Sequence, residues 1–187
     1  MRKTHYVDNK KFYDAIIQHK KACEEAAQKG LDKPVISNYI GECIYKIAEK
    51  LSTKPCFIGY SFRDEMISDG VENCILYFDD YNPFRTTPEG LPAGLNPFAY
   101  FTQIIFYAFI RRITKEEKHR YILYKNFQEV LLQNDTSLLV DSEDRNLLPK
   151  QLYDNINDFM KKYEKRESDK KEKRKNIKQG LEKFYEG

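Results

Sequence analysis

Phe98, Tyr100, Phe101, Phe106, Tyr107 and Phe109 place six aromatic rings within twelve residues, and Arg111, Arg112, Lys115, Lys118, Arg120 and Lys125 follow against only Glu116 and Glu117. Aromatic faces stack on unpaired bases, while guanidinium and ammonium groups neutralise phosphates, so this order suits a partly single-stranded nucleic acid. The same pattern also describes a core helix with a solvated basic end. At helical spacing, Phe98, Phe101, Ile105, Ala108 and Phe109 form one stripe that can face inward. Tyr100, Gln103, Tyr107 and Arg111 fall on a second stripe, the one expected to face nucleic acid.

Charge is distributed unevenly along a chain whose net charge is only +3. Residues 61–82 hold Asp64, Glu65, Asp69, Glu72, Asp79 and Asp80 against Arg63, for −5. Residues 111–125 sum to +4, and residues 161–178 carry ten Lys/Arg against four acids, for +6. An acidic face followed by two basic segments suggests a protein partner and a polyanion on different surfaces. There is no Gly-rich phosphate loop, His-x-x-x-His pair or nucleophile elbow, so a non-enzymatic chain with no catalytic residues, metal or cofactor is expected. Asp79 and Asp80 adjoin, but helical neighbours point in different directions and make a poor carboxylate pair. Cys23, Cys43, Cys56 and Cys74 form no Cys-x-x-Cys pair and suggest free thiols, three at core-like helical positions. No run reaches the roughly 20 apolar residues needed to span a bilayer. The opening residues lack the apolar core of a secretory signal, so an intracellular protein is expected.

The elements that must position these residues are helices, and the fold class is all-α. A first helix is expected from about Lys10 to Lys29, capped by Asn9, ended by Gly30 and striped by Phe12, Ile16 and Cys23. Ser37 can cap a second, whose Ile40, Cys43, Ile44, Ile47, Ala48 and Leu51 share one face. Ser61-Phe-Arg-Asp64 resembles a capping box and starts a third, through about Phe78, that buries Met66, Gly70, Cys74 and Phe78. Gly70 within that helix costs about 1 kcal/mol relative to Ala and suggests close approach of another helix. Residues 82–97 hold four of the seven prolines with Gly90 and Gly94 and read as a long loop. Asn96 then caps the aromatic helix, with Pro97 in its first turn. Val130, Leu131 and Leu132 precede the polar break Gln133–Ser137. Leu152, Ile156, Phe159, Met160 and Tyr163 mark one more amphipathic helix. Residues 161–178 are either a lone solvated helix or a disordered linker. The last residues, Gly180–Gly187, are either an idle end or a docking peptide. The expected divisions are a helical core over 1–130, a helical segment over 131–163, and a charged linker with terminal peptide over 164–187.

Glu65-Met-Ile-Ser-Asp-Gly70, followed after a loop by Pro97-Phe-Ala-Tyr-Phe-Thr-Gln-Ile-Ile105 and a basic extension, resembles region 2 of bacterial-type sigma factors. The chain is closer to the divergent late-transcription sigma factors of T-even-like bacteriophages. Leu139-Val-Asp141, Tyr153-Asp154 and the terminal Leu181-Glu-Lys-Phe-Tyr-Glu186 continue the likeness, which covers most of the chain and is best from about Ile40 to Lys125.

The resemblance implies a compact region 2-like helical domain with a charged C-terminal extension. Glu65, Ser68, Asp69 and Glu72 would dock on the clamp helices of the largest subunit of bacterial core RNA polymerase. Tyr100, Gln103, Tyr107 and Arg111 would meet a melted −10-like promoter element, and Arg112, Lys115, Lys118 and Arg120 would contact promoter DNA beyond it. Leu181, Phe184 and Tyr185 would anchor on the phage sliding clamp. A late co-activator protein would be a further partner, and the host cytoplasm, at the nucleoid, the place of action. The chain departs from the pattern in having no Trp. Gln103 and Ile104 stand where sigma factors place a tryptophan pair, residues 82–97 look inserted, and Lys183 replaces an aromatic. No helix-turn-helix pattern for an upstream −35 element follows. Two other readings fit the residues: a helical nucleic-acid-binding protein without a polymerase role, and an interaction adaptor whose basic helix is merely solvated.

Overall fold

A computed structural model describes residues 6–86, 96–133 and 150–185, with side chains over 6–86, 96–130 and 154–176. It is all-helical: α1 (Asn9–Gln28), α2 (Asn38–Ser52), α3 (Arg63–Leu76), α4 (Pro97–Gln133) and α5 (Lys150–Tyr185). No strand occurs among the described residues. The chain divides into two compact units, one up to Thr114 and one from Lys115 onward, so α4 contributes its first half to one and its second half to the other.

In the first unit, the apolar stripes written in the sequence meet in one core. Phe12 and Ile16 of α1, the Ile40–Leu51 face of α2, Met66 and Cys74 of α3, and Phe101, Ile105 and Phe109 of α4 are all buried. Each large side chain so buried contributes about 1.5–3 kcal/mol. Rings interlock at the centre. Phe101 packs against Phe12 (5.6 Å between centroids) and Phe78 (5.9 Å), and Phe57 stands edge-on to Phe109 (5.1 Å). Phe98, expected on the inward stripe, is half-buried against the edge of Tyr6.

Gly70 lets α3 and α4 approach. A Cβ placed there would lie 3.0 Å from Ile105 Cγ2 and 3.1 Å from Phe109 Cε1, both on buried side chains. The close approach suggested by a mid-helix glycine is therefore present, and its partner is the aromatic helix.

The caps differ in detail from expectation. Asp8, not Asn9, caps α1 by accepting from the Lys10 and Lys11 amides (3.0 and 3.2 Å). Asn9 instead accepts from the Phe98 amide (3.2 Å), tying the start of α1 to α4. Gly30, at φ 67°, closes α1 with the Leu31 amide on the Ala26 carbonyl (2.9 Å) and its own amide on Ala27 (3.2 Å). The Ser61 capping box does not form: Phe62 occupies the cap of α3 without a side-chain hydrogen bond, and α3 stops at Leu76 rather than Phe78. Asp64 and Glu65 still lie in the first turn, where the helix dipole favours acids. Asn96 caps α4 as expected, accepting from the Ala99 amide (3.0 Å).

The loop over residues 82–97 is described at its beginning, where Pro83 is buried and its carbonyl accepts from the Tyr13 hydroxyl (3.2 Å). Its remainder over 87–95, the Gln133–Ser137 break beyond Gln133, and the Leu139–Asp141 phrase lie outside the described residues.

The second unit pairs the later turns of α4 with α5. Tyr121 stacks on Tyr163 (4.6 Å) and donates to Glu164 (2.8 Å), Tyr124 meets Phe159 edge-on (5.5 Å), and Ile156 and Met160 are buried. Of the two alternatives for residues 161–178, the helical one holds: α5 continues to Tyr185, and its side chains over 168–176 are exposed.

Cys43 and Cys74 are buried free thiols, Cys23 is half-buried beside His19 Nε2 (3.4 Å), and Cys56 is exposed. Burial pushes the Cys74 thiol from 9.0 up to about 12. The associated stability is complete below the ordinary value and declines as pH rises toward about 12. With a thiol-reactive chromophore near neutral pH, Cys56 should label first, and Cys43 and Cys74 only as the fold opens. Rapid labelling of all the thiols in the native protein would contradict this core. Urea unfolding should show Gly70→Ala destabilising by about 1 kcal/mol, because overpacking outweighs the gain in helix propensity. Gly41→Ala, at a helical site with nothing within 4 Å, should instead stabilise by up to about 1 kcal/mol.

Candidate nucleic-acid interface

The contact at Gly70 determines which side chains of α3 and α4 remain outside. On α3, Glu65, Ser68 and Glu72 are exposed, and Asp69 is half-buried. Ser68 and Glu72 line a hollow of about 460 Å³ with Tyr45, Ile67, Val71 and Ile75. Val71 and Ile75 continue into a neighbouring hollow of about 520 Å³ bordered by Val35 and Glu42. The acidic face is thus also an apolar one, with Ile75 52% and Leu76 72% exposed. The acidic tally along the chain did not reveal this, although Val71, Ile75 and Leu76 lie among those acids.

On α4, the expected nucleic-acid stripe divides. Gln103 and Tyr107 are exposed. Tyr100 is half-buried: its ring lies 5.0 Å from Tyr81 and 5.2 Å from Phe101, and its hydroxyl donates to the Tyr77 carbonyl (3.4 Å). Burial raises its pKa and pushes that of Tyr81 up to about 12, so both phenols stay neutral at physiological pH. Tyr100 offers less free ring than Tyr107, which is 56% exposed. Arg111 is exposed and donates to Asn73 Oδ1 on α3 (2.5 Å).

Arg112 is placed otherwise than expected. Its guanidinium donates through Nε and Nη2 to both carboxylate oxygens of Asp69 (2.6 and 2.7 Å). Side-chain exposures of 19% and 27% put this fork-on-fork pair partly out of solvent. An acid assigned to a protein partner and a base assigned to DNA are thus engaged with each other across α3 and α4. The cause is the approach at Gly70, next in sequence to Asp69. No one-dimensional pattern contains that contact.

In the second unit, Lys115 and Lys118 are exposed. Arg120 is exposed with its guanidinium 5.6 Å from the centre of the Phe159 ring, a cation–π contact within the unit. Leu181 and Phe184 lie in the last turns of α5 and Tyr185 ends it, while their side chains fall outside the described residues. No group of three or more His, Cys, Asp or Glu is placed to hold a metal ion among the described residues. Within the same limit, no helix is long and apolar enough to cross a membrane.

Phe106 is the residue that periodicity overlooked. It is 39% exposed, with its ring held edge-on by buried Phe57 (5.6 Å). A usable signal existed: Ile105, Phe106 and Tyr107 are consecutive, and a helix cannot turn three successive side chains inward. Compared with protein-family models and with curated proteins, the chain matches none.

Asp69→Ala or Arg112→Ala should each lower stability by about 1–3 kcal/mol, since each leaves a partly buried charge without this partner. A double-mutant cycle in urea should show coupling above the ~1 kcal/mol of an exposed pair. Additive losses would mean that the two residues do not stabilise the fold through each other.

Proposed function

We propose that the chain is a sigma-type initiation factor that directs bacterial RNA polymerase to phage late promoters, acting without an enzymatic activity of its own. The observation that carries this reading is the pairing, in one compact unit, of an acidic and apolar face on α3 with an aromatic and cationic face on α4. Glu65, Ser68 and Glu72, with Val71 and Ile75, would receive the clamp helices of the core enzyme. Acids there steer encounter and fix register, while the apolar side chains supply buried area. Gln103, Tyr107 and Arg111, with a partial contribution from Tyr100, would meet the melted −10-like element. Lys115, Lys118 and Arg120 would contact phosphates of promoter DNA. Asp69 and Arg112 serve this scheme indirectly, by holding the two helices together.

The remaining parts follow the same resemblance. The C-terminal turns carrying Leu181, Phe184 and Tyr185 would bind the phage sliding clamp, with a late co-activator protein as a further contact. The setting would be the host cytoplasm, on nucleoid DNA during infection.

Binding to purified core polymerase, followed by fluorescence anisotropy, tests the reading. The wild-type chain should bind without DNA, and Glu72→Lys combined with Ile75→Asp should weaken binding at least about tenfold, a loss of roughly 1.4 kcal/mol, with an unchanged thermal melt. An unchanged affinity would remove the α3 face from the scheme. If the core enzyme ignores the wild-type chain while nucleic-acid affinity remains, the reading falls in favour of a helical nucleic-acid-binding protein.

A further inference from the structure

The end of α2 and the first turns of α4 enclose an open hollow of about 410 Å³ whose lining includes Leu51, Lys54, Phe98, Gln103, Phe106 and Tyr107. We infer that this hollow receives one unpaired nucleobase, with Phe106 as the stacking surface, Gln103 reading the base edge and Lys54 meeting the adjoining phosphate. The inference rests on the reading of the chain as a promoter-opening factor, and it assigns the stacking role to a residue that the resemblance does not mark.

The chemistry of the lining favours this occupant. Its volume lies within the roughly 300–1,000 Å³ typical of small-molecule pockets. Among the described residues no acid lines it, and it includes an exposed lysine, which favours a phosphate-bearing ligand. Two aromatic rings border it, Phe106 39% and Tyr107 56% exposed. Their centroids lie 5.8 Å apart with planes at 78°, which makes a corner rather than a slot. A planar ligand can stack on one of these rings while its opposite face stays open to solvent.

Phe106 is also prepared for the role. Phe57, itself buried, meets it edge-on at 70° and limits the rotation of its ring. Such a ring loses little freedom when a base arrives. Gln103 lies one turn earlier on the same exposed side of α4, and its amide carries both a donor and an acceptor for a base edge. The Thr102 hydroxyl, by contrast, already donates to the Phe98 carbonyl (2.6 Å). Tyr100, packed among Tyr81 and Phe101, presents less free ring than either Phe106 or Tyr107. With no tryptophan anywhere in the chain, Phe106 is the exposed ring of α4 best fixed by core packing.

The test titrates the full-length chain, free and saturated with core polymerase, against a short single-stranded DNA carrying one 2-aminopurine. The fully paired duplex is the control. The single strand should be quenched and the duplex should not. Phe106→Ala should weaken single-strand binding about tenfold, within the range for loss of one base–aromatic stack. Phe106→Leu, which keeps packing on Phe57, should do nearly the same, and Phe106→Trp should restore binding. Lys54→Gln should reduce the slope of log affinity against log salt by about 0.7. Absence of quenching in both forms, equal affinity for duplex, or unchanged binding by a folded Phe106→Leu chain would overturn the inference. Quenching that depends on Phe106 in a chain the core enzyme ignores would leave the hollow and remove the initiation reading. Tight polymerase binding with quenching indifferent to Phe106 would do the reverse.

Discussion

The first unit depends on the approach of α3 to α4 at Gly70, where a missing Cβ lets Ile105 and Phe109 sit against the backbone. That contact fixes the rotation of both helices about their axes. Once Met66, Gly70 and Cys74 face α4, Ser68, Glu72 and Ile75 must face away. Once Phe101, Ile105 and Phe109 face inward, Gln103, Phe106 and Tyr107 are left outside by the same geometry. Two surfaces of opposite chemistry therefore arise from one close contact, and neither can be rotated without disturbing the other.

Electrostatics reinforces that arrangement at its edge. The Asp69–Arg112 fork and the Arg111–Asn73 hydrogen bond both join α3 to α4, with their α3 members one turn apart. A bidentate pair at intermediate burial is more directional than exposed pairs such as Lys46–Glu42, and it resists sliding of one helix past the other. It also lowers the charge available to partners. Asp69 is engaged with Arg112, and Asp79 with Lys33, which holds the Asp79 carboxyl below its usual range. The exposed acids of α3 are then Asp64, Glu65 and Glu72 rather than the whole run counted along the chain. Under the proposed reading, a partner there would be held through Val71, Ile75 and Leu76 as much as through charge.

The extent to which the sequence was legible follows from this division. Helical periodicity specified the core faces of α2 and α4 because each stripe repeats over several turns, and a repeated signal survives small errors of register. Caps lack that redundancy. Asp8 rather than Asn9 begins α1 because Asn9 is drawn to the Phe98 amide, a partner 89 residues away. Ser61 fails to cap α3 because the chain enters the helix one residue later, through Phe62. Pairings across helices were wholly hidden, so Asp69 and Arg112 were sorted by charge into different functions. The partial burial of Tyr100 was hidden as well: it shares a stripe with exposed Gln103 and Tyr107, but Tyr81 packs on its ring, a contact from outside the helix.

The course of α5 bears on how its end could act under the proposed reading. A flexible linker over 161–178 would supply the terminal residues at an effective concentration set by a random coil. A continuous helix works differently. Its 36 residues extend about 54 Å at 1.5 Å per residue, and its outer turns carry Lys170, Lys171, Lys173, Arg174 and Lys175 in solvent. Such a rod presents Leu181 and Phe184 at a nearly fixed distance from the Tyr121–Tyr163 stack rather than over a broad range of distances. Engagement of a second partner then depends on whether that partner stands at the right place, since a stiff spacer contributes nothing where the geometry fails. The stack and the Arg166–Glu117 ion pair hold the base of the rod, so their integrity, more than the composition of the charged segment, sets the direction in which the last turns point within this unit.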